Sequence, residues 1–178
     1  MATPQILVAD DDLGSCLILR RWAERLGFKC DIATNGAEAM AASQVNSYRI
    51  IFMDNYMPFM NGWEASIEIT QRTTGVQFPV IVGMISIDNV ATRQQCRDSG
   101  MSVVICKPIS NLSFVNLMAN TGSQIKPSNR IFYQPQSEMC GCEDPQDLWE
   151  PLSNTVNVRA ITWKGASFDE TEPKSHHA

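Results

Sequence analysis

Residues 49–64 read RIIFMDNYMPFMNGWE. Four apolar side chains, Ile50, Ile51, Phe52 and Met53, run straight into a carboxylate, Asp54. A short continuous apolar run closed by turn residues is the pattern of a strand buried on both faces. Burying an unpaired carboxylate is costly, so Asp54 must be open, paired or metal-bound. Met57-Pro58 and Asn61-Gly62 then turn the chain. A strand that ends on an acid in this way delivers the acid to something.

Similar runs recur through the first two-thirds of the chain. QILVA (5–9), KCDIA (29–33), PVIVGM (79–84) and SVVIC (102–106) join RIIFM (49–53) as strand candidates. Helical spacing fills the gaps. Cys16, Leu19, Ala23 and Leu26 recur every three or four residues over 14–26, and Ala37, Met40, Ala41 and Val45 do so over 36–45. Asn61 is a candidate cap for a helix over 62–72, Asp88 for one over 89–99, and Ser110 for one over 111–119. Strand and helix alternate five times. The pattern predicts an α/β fold, a doubly wound (βα)5 parallel sheet with right-handed crossovers.

Residues 1–119 form this domain, and beyond them the periodicity is lost. Residues 120–178 carry five of the nine prolines and a Cys140-Gly-Cys142 turn. Five basic residues face eight acids there, so the segment is net acidic. NVRAITW (157–163) reads as a short strand and RIFYQ (130–134) as a weaker one. The expectation is an irregular, flexible extension without a recognisable output domain, with Trp149 or Trp163 available for docking.

Composition narrows the function. A net charge of −5 argues against nucleic acid as a partner, because phosphate contacts need clustered Lys and Arg. No run approaches the roughly 20 apolar residues that span a bilayer, so no membrane partner is expected. The start, MATPQILVADDD, lacks a basic leader and a long apolar stretch, which argues for the cytoplasm with the nucleus left open. Cys16, Cys30, Cys96 and Cys106 sit singly among apolar residues and read as free thiols. Cys140, Cys142, His176 and His177 lack the spacing of a metal site.

Ligands of an open parallel sheet bind beyond the carboxyl ends of its strands. Strand one ends in Asp10-Asp11-Asp12, strand three in Asp54, strand four in Ile85-Ser86 and strand five in Lys107-Pro108. Carboxylates and one ammonium thus share a rim. Carboxylate oxygens suit a hard divalent cation such as Mg²⁺, and a lysine suits a phosphoryl oxygen. Asp12 reads as a helix cap rather than a ligand.

Taken together in this order, ILVADDD, FMDNYMPFMNGWEA, PVIVGMIS and CKPIS resemble the signature segments of the response-regulator receiver domain of two-component phosphorelays. The resemblance covers roughly residues 4–119, and the wording around Asp54 is similar to receivers of hybrid histidine kinases. It implies a flavodoxin-like fold with strand order 2-1-3-4-5. It implies Asp54 as the phospho-accepting nucleophile, and Mg²⁺ held by Asp11, Asp54 and the backbone carbonyl of Tyr56, with Asp10 assisting directly or through water. Lys107 pairs with Asp54 and then with the phosphoryl group, and Pro108 follows a cis peptide. Met57, Pro58 and Gly62 shape the loop, Gly62 by tolerating dihedrals closed to other residues. The implied phosphodonor is a histidine kinase or a histidine phosphotransfer protein.

Two positions depart from the family pattern. The family's hydroxyl at the end of strand four falls on Ile85, so either Ser86 serves after a one-residue shift or that hydrogen bond is missing, and the family's aromatic three residues before the lysine is Val104. Transfer chemistry is intact on this reading, while the conformational switch is altered. Tyr56, two residues beyond Asp54, is expected to shield an acyl phosphate from water. An alternative is a pseudo-receiver that binds a protein without being phosphorylated. A phosphate-ester hydrolase would need an acid two residues past the nucleophile, where Tyr56 stands, so the expected protein is a signalling domain and not an enzyme.

Overall fold

The strand that ends on Asp54 lies at the centre of a parallel sheet. A computed structural model describes residues 5–73, 78–121 and 132–134. In chain order the elements are β1 (Ile6–Ala9), α1 (Leu13–Arg25), β2 (Cys30–Ala33), α2 (Gly36–Val45), β3 (Ile50–Asp54) and α3 (Gly62–Arg72). They continue as β4 (Val80–Ile85), α4 (Val90–Asp98), β5 (Val103–Cys106), α5 (Asn111–Thr121) and β6 (Phe132–Gln134). The first five strands are ordered 2-1-3-4-5, as expected, and β6 adds beyond β5. Every pairing is parallel. This is the doubly wound, flavodoxin-like architecture.

Alternation along the strands divides the interior into two layers. Leu7, Ala9, Ile51 and Met53 point to one face, where Ala39 of α2, Ala65 and Ile69 of α3 and Cys96 of α4 cover them. Ile6, Val8, Ile50 and Phe52 point to the other, beneath Cys16, Leu19 and Ala23 of α1 and Phe114 and Leu117 of α5. Phe114 stacks on Phe52 at 5.2 Å between centroids and meets Trp22 at 5.7 Å. Both faces of the central strands are therefore dry, which is why their sequences are apolar without alternation. The four cysteines among the described residues are free thiols. Burial pushes Cys16 up to about 11 and Cys30 up to about 12, so both stay protonated.

The caps follow local chemistry. Asp12 begins α1 by accepting the amides of Gly14 and Ser15 at 3.1 Å each. Asn61 and Glu64 form a reciprocal capping box on α3, with Asn61 Oδ1 accepting Glu64 N–H at 2.9 Å. Ser110 Oγ accepts Ser113 N–H at 3.0 Å at the head of α5. One expectation is corrected: α4 is capped by Asn89, not by Asp88. The Asp88 carboxylate instead pairs with Arg93 through two of its guanidinium nitrogens, at 2.5 and 2.7 Å, and a carboxylate engaged in that way does not cap the helix.

In the extension, β6 falls within the 130–134 stretch that reads as a weak strand. The 157–163 strand candidate, Trp149, Trp163, Cys140, Cys142 and the His176-His177 pair lie outside the described residues.

Gly62 does a different job from the one expected. Among described glycines only Gly27 and Gly100 have positive φ, so Gly62 is not chosen for its dihedrals. It is chosen for space: a Cβ there would stand 2.0 Å from the carbonyl oxygen of Asp54 and 2.9 Å from its carbonyl carbon. The Gly62 amide also donates to Asn55 O at 3.0 Å, locking the start of α3 against the end of β3. Replacing Gly62 with Ala therefore forces the loop away from Asp54. The expected loss is about 1–3 kcal/mol of stability, read from urea unfolding midpoints. A variant as stable as the parent would contradict this close packing.

Candidate functional site

Strand register assembles the site. Ala9 is level with Met53, and Asp54 with Met84, while Ile85 is level with Cys106. The residues one step beyond β1 and β5 therefore arrive beside Asp54, the last residue of β3. Those residues are Asp10 and Lys107. Asp11 follows Asp10 and is exposed, whereas Asp10 is fully buried and Asp54 is 6% exposed.

The four charged groups form one cluster. Lys107 Nζ lies 2.7 Å from Asp10 Oδ2 and 3.0 Å from Asp54 Oδ2, bridging the two buried acids. Asp10 Oδ1 accepts the amide of Asp12 at 3.0 Å. Asp10, Asp11 and Asp54 each offer an oxygen within 4.8 Å of the others. Among the described residues Asp12 also faces this end of the sheet, but its carboxylate is committed to the cap of α1. The Ser15 hydroxyl, donating at 2.7 Å, and then the two cap amides hold its pKa below the ordinary value.

Burial and charge pull against one another in the cleft. Burial pushes the Asp54 carboxyl up, opposed by the Lys107 ammonium and reinforced by the Asp10 charge, and the net direction is upward. Burial pulls Lys107 down, yet the two carboxylates outweigh it and hold its pKa above the ordinary value. Three carboxylates against one ammonium leave a surplus of negative charge in a largely closed space. Such a surplus, offered by hard oxygen donors, fits a divalent cation.

The remaining expected residues are placed around this cluster. The Lys107–Pro108 peptide is cis, as the resemblance implies. Ile85 ends β4 with its side chain buried, and its carbonyl accepts Lys107 N–H at 2.7 Å, while Ser86 is exposed. Val104 is fully buried in the helix-two-to-four layer of the core. Met57 is buried and Pro58 exposed on the loop after β3. Tyr56 is 59% exposed, and its ring meets Trp63 edge-on at 5.2 Å.

Two features were not legible in the sequence. Asn55 is fully buried beside Asp54, with its amide donating to Cys96 Sγ at 3.6 Å. Trp63 Nε1 reaches the same sulfur at 3.5 Å, so a buried thiol joins the strand-three loop, α3 and α4. A polar residue directly after a buried run was the available signal for Asn55. The other feature is Phe59, which has φ +67 and is 94% exposed. Nothing in its sequence neighbourhood, with glycine three positions later, points to that backbone.

Comparison with known proteins agrees with this fold. The family model of the response regulator receiver domain matches residues 6–119. Hybrid signal transduction histidine kinase L of Dictyostelium discoideum is 31% identical over 123 residues, covering 66% of this chain but 7% of that kinase. The chain thus spans a small fraction of the curated relatives it matches. Among solved structures, the receiver domain of sensor histidine kinase PA1611 from Pseudomonas aeruginosa has a TM-score of 0.59 at 21% identity. The match covers 68% of this chain and all of that domain, whose active-site cleft holds a coordinated magnesium ion. The co-crystal structure of the Saccharomyces cerevisiae histidine phosphotransfer protein Ypd1 with the receiver domain of Ssk1 gives a TM-score of 0.61 at 20% identity. It covers 68% of this chain and 92% of the matched chain. These structural likenesses are likenesses of fold.

The raised pKa of Asp54 has a consequence for stability. A carboxyl whose folded pKa lies above its ordinary 3.8 contributes stability below that pH, and loses it as pH rises through the folded value. Asp54→Asn carries no titratable group there. Without divalent ions, the variant should gain on the parent in urea midpoint between about pH 3.8 and neutrality. A parent–variant difference that stays constant over that range would contradict the burial of this carboxylate.

Proposed function

The chain belongs to the response regulator receiver family, and from that premise we propose that it accepts a phosphoryl group from phosphohistidine onto Asp54. The observation that carries this reading is the convergence of Asp10, Asp11, Asp54 and Lys107 at one end of the sheet. An Asp54 carboxylate oxygen attacks phosphorus; the O–P bond forms as the P–N bond breaks. The imidazole leaves with the electron pair, and an acyl phosphate remains on Asp54. Lys107, already against both buried acids, is positioned to follow the developing charge onto a phosphoryl oxygen.

Asp10, Asp11 and Asp54, with the backbone carbonyl of Tyr56, would hold Mg²⁺, which when bound supplies neutralising charge for the transferring group. Asp10, being fully buried and engaged by Lys107, acts directly or through water. Asp54 needs no general base, because it attacks as the anion. Tyr56, whose ring meets Trp63 edge-on, would limit the access of water to the acyl phosphate. Met57, Pro58, Gly62 and Pro108 shape the loops that carry these groups.

Residues 1–119 form the signalling unit, and its donor is a histidine kinase or a histidine phosphotransfer protein. The hybrid-kinase relatives and the Ypd1 complex support that donor class. No helix among the described residues is long and apolar enough to cross a membrane. Ile85 supports a second reading, in which the domain binds a partner without a phosphorylation-driven change. Its buried side chain offers no hydroxyl to a phosphoryl group, and Val104 adds no aromatic partner. A missing charge-assisted hydrogen bond removes about 1.5–3 kcal/mol of coupling between phosphorylation and conformation. Transfer itself does not need it.

Phosphoramidate with Mg²⁺ tests the leading reading, since its P–N bond matches that of phosphohistidine. Intact-mass spectrometry should find one added phosphoryl group on the parent, none on Asp54→Asn and none when the metal is chelated. Equal labelling of Asp54→Asn, or an unlabelled parent, would favour the pseudo-receiver.

A further inference from the structure

At the amino ends of the strands, the opposite pole from the acidic cleft, a hollow of about 740 Å³ opens between the last turns of α2 and α3. Small-molecule sites occupy about 300–1,000 Å³, so the space suffices for one ligand. Its walls are tied in place. Arg49 N–H donates to Gln5 O at 2.8 Å and Val80 N–H to Arg49 O at 3.0 Å, which fixes the starts of β1, β3 and β4 to one another. Tyr48 donates its hydroxyl to Asp31 Oδ2 at 2.6 Å and accepts Asn46 Nδ2 at 3.2 Å, so the loop before β3 is held as well. Thr73 closes α3 with both its amide and its hydroxyl on Ile69 O, at 3.0 and 2.6 Å.

The lining combines hydrocarbon with positive charge. Ile51 and Ile69, both buried, contribute apolar surface, as does the Phe78 ring, which is 43% exposed. Arg49 and Arg72 add two guanidiniums, and no acid stands among the described lining residues. In a chain of net charge −5, such a hollow is the exception. Glu68, outside the lining, takes Arg72 Nε at 2.7 Å, which leaves the two terminal nitrogens of that fork for another acceptor. Arg72 also suits the carbonyl end of α3, being basic in its last turn. Arg49 is the residue before β3 and belongs to no helix. Two guanidiniums at one hollow are therefore not a by-product of helix capping.

We infer that this hollow is a second ligand site, taking a small aromatic carboxylate whose flat body lies against Phe78, Ile51 and Ile69 and whose anion is held by Arg49 and Arg72. The planar fork of a guanidinium matches a carboxylate with two parallel hydrogen bonds. An aromatic body gains twice, from leaving water and from stacking on the Phe78 ring. A bare inorganic anion would leave the apolar floor wet, and a cation would meet two like charges. Walls fixed in advance keep the ordering cost of binding low. Along β3, Ile51 is three residues from Asp54, about 10 Å at strand spacing. Occupancy of the hollow therefore does not depend on phosphoryl transfer at Asp54.

The probe is 2-naphthoate, with 2-naphthamide as its neutral isostere, titrated into the full chain and followed by backbone-amide NMR shifts. Saturable shifts centred on Ser47, Arg49, Thr73 and Val80 are expected, with a dissociation constant of about 1 mM or below. The amide should bind about tenfold more weakly. Arg49 and Arg72 are exposed, so Arg49→Gln and Arg72→Gln keep the parent's fold, and each should weaken naphthoate about threefold to tenfold. Phe78→Ala should weaken it about threefold. Asp54→Asn should bind as the parent does. Shifts that stay linear at about ten times that concentration, or that centre on the acidic cleft and vanish in Asp54→Asn, would overturn the site. Equal affinity for the amide, or no loss in either arginine variant, would overturn the carboxylate assignment.

Discussion

The Lys107 ammonium between Asp10 and Asp54 is the interaction on which the rest of the site depends. Two carboxylates with almost no contact with water cannot both stay ionised side by side without a cation. Lys107, at 2.7 and 3.0 Å, supplies one positive charge against them, and Asp11 adds a third negative charge at the mouth. The cleft is thus held short of neutrality. That shortfall is what a divalent cation would meet in the cleft. A site already neutral would have no such demand.

The fold exists, in this sense, to keep those charges close. Dry packing on both faces of β1 and β3 fixes the strands, and parallel register carries Asp10 and Asp54 to the same level. Gly62 lets α3 start against the carbonyl of Asp54, and Asn55 ties the same loop to Cys96 on α4. Little of the surrounding structure can shift without moving Asp54. The unusual positions are also confined to this end. Ile85 and Val104 fill space with hydrocarbon beside the cleft, and Phe59 spends backbone strain on an exposed ring.

Much of this was legible in the sequence because the governing physics is local and periodic. Apolar runs of four to six residues can only be buried strands when turn residues and helical spacing alternate with them. The acids and the lysine were found because they follow those runs. The caps Asp12 and Asn61 were likewise readable from side-chain chemistry. Asp88 misled because an acid before a helix can either cap it or pair with a basic residue in its first turn, here Arg93, and the sequence offers both local partners at once. Gly62 misled because glycine serves two needs, free dihedrals and free space, which look the same in a sequence. The Phe59 turn and the Asn55 contact could not be read for a related reason: one depends on backbone shape, the other on a thiol 41 residues away.

Titration of the parent and of Lys107→Met with Mg²⁺, followed by isothermal calorimetry, tests the charge shortfall most directly. Removing an ammonium that competes for the same carboxylates should leave one site per chain and tighten it on the order of tenfold, by the loss of like-charge repulsion. Absent binding in the parent, or an affinity indifferent to Lys107, would mean that these acids do not share a cation.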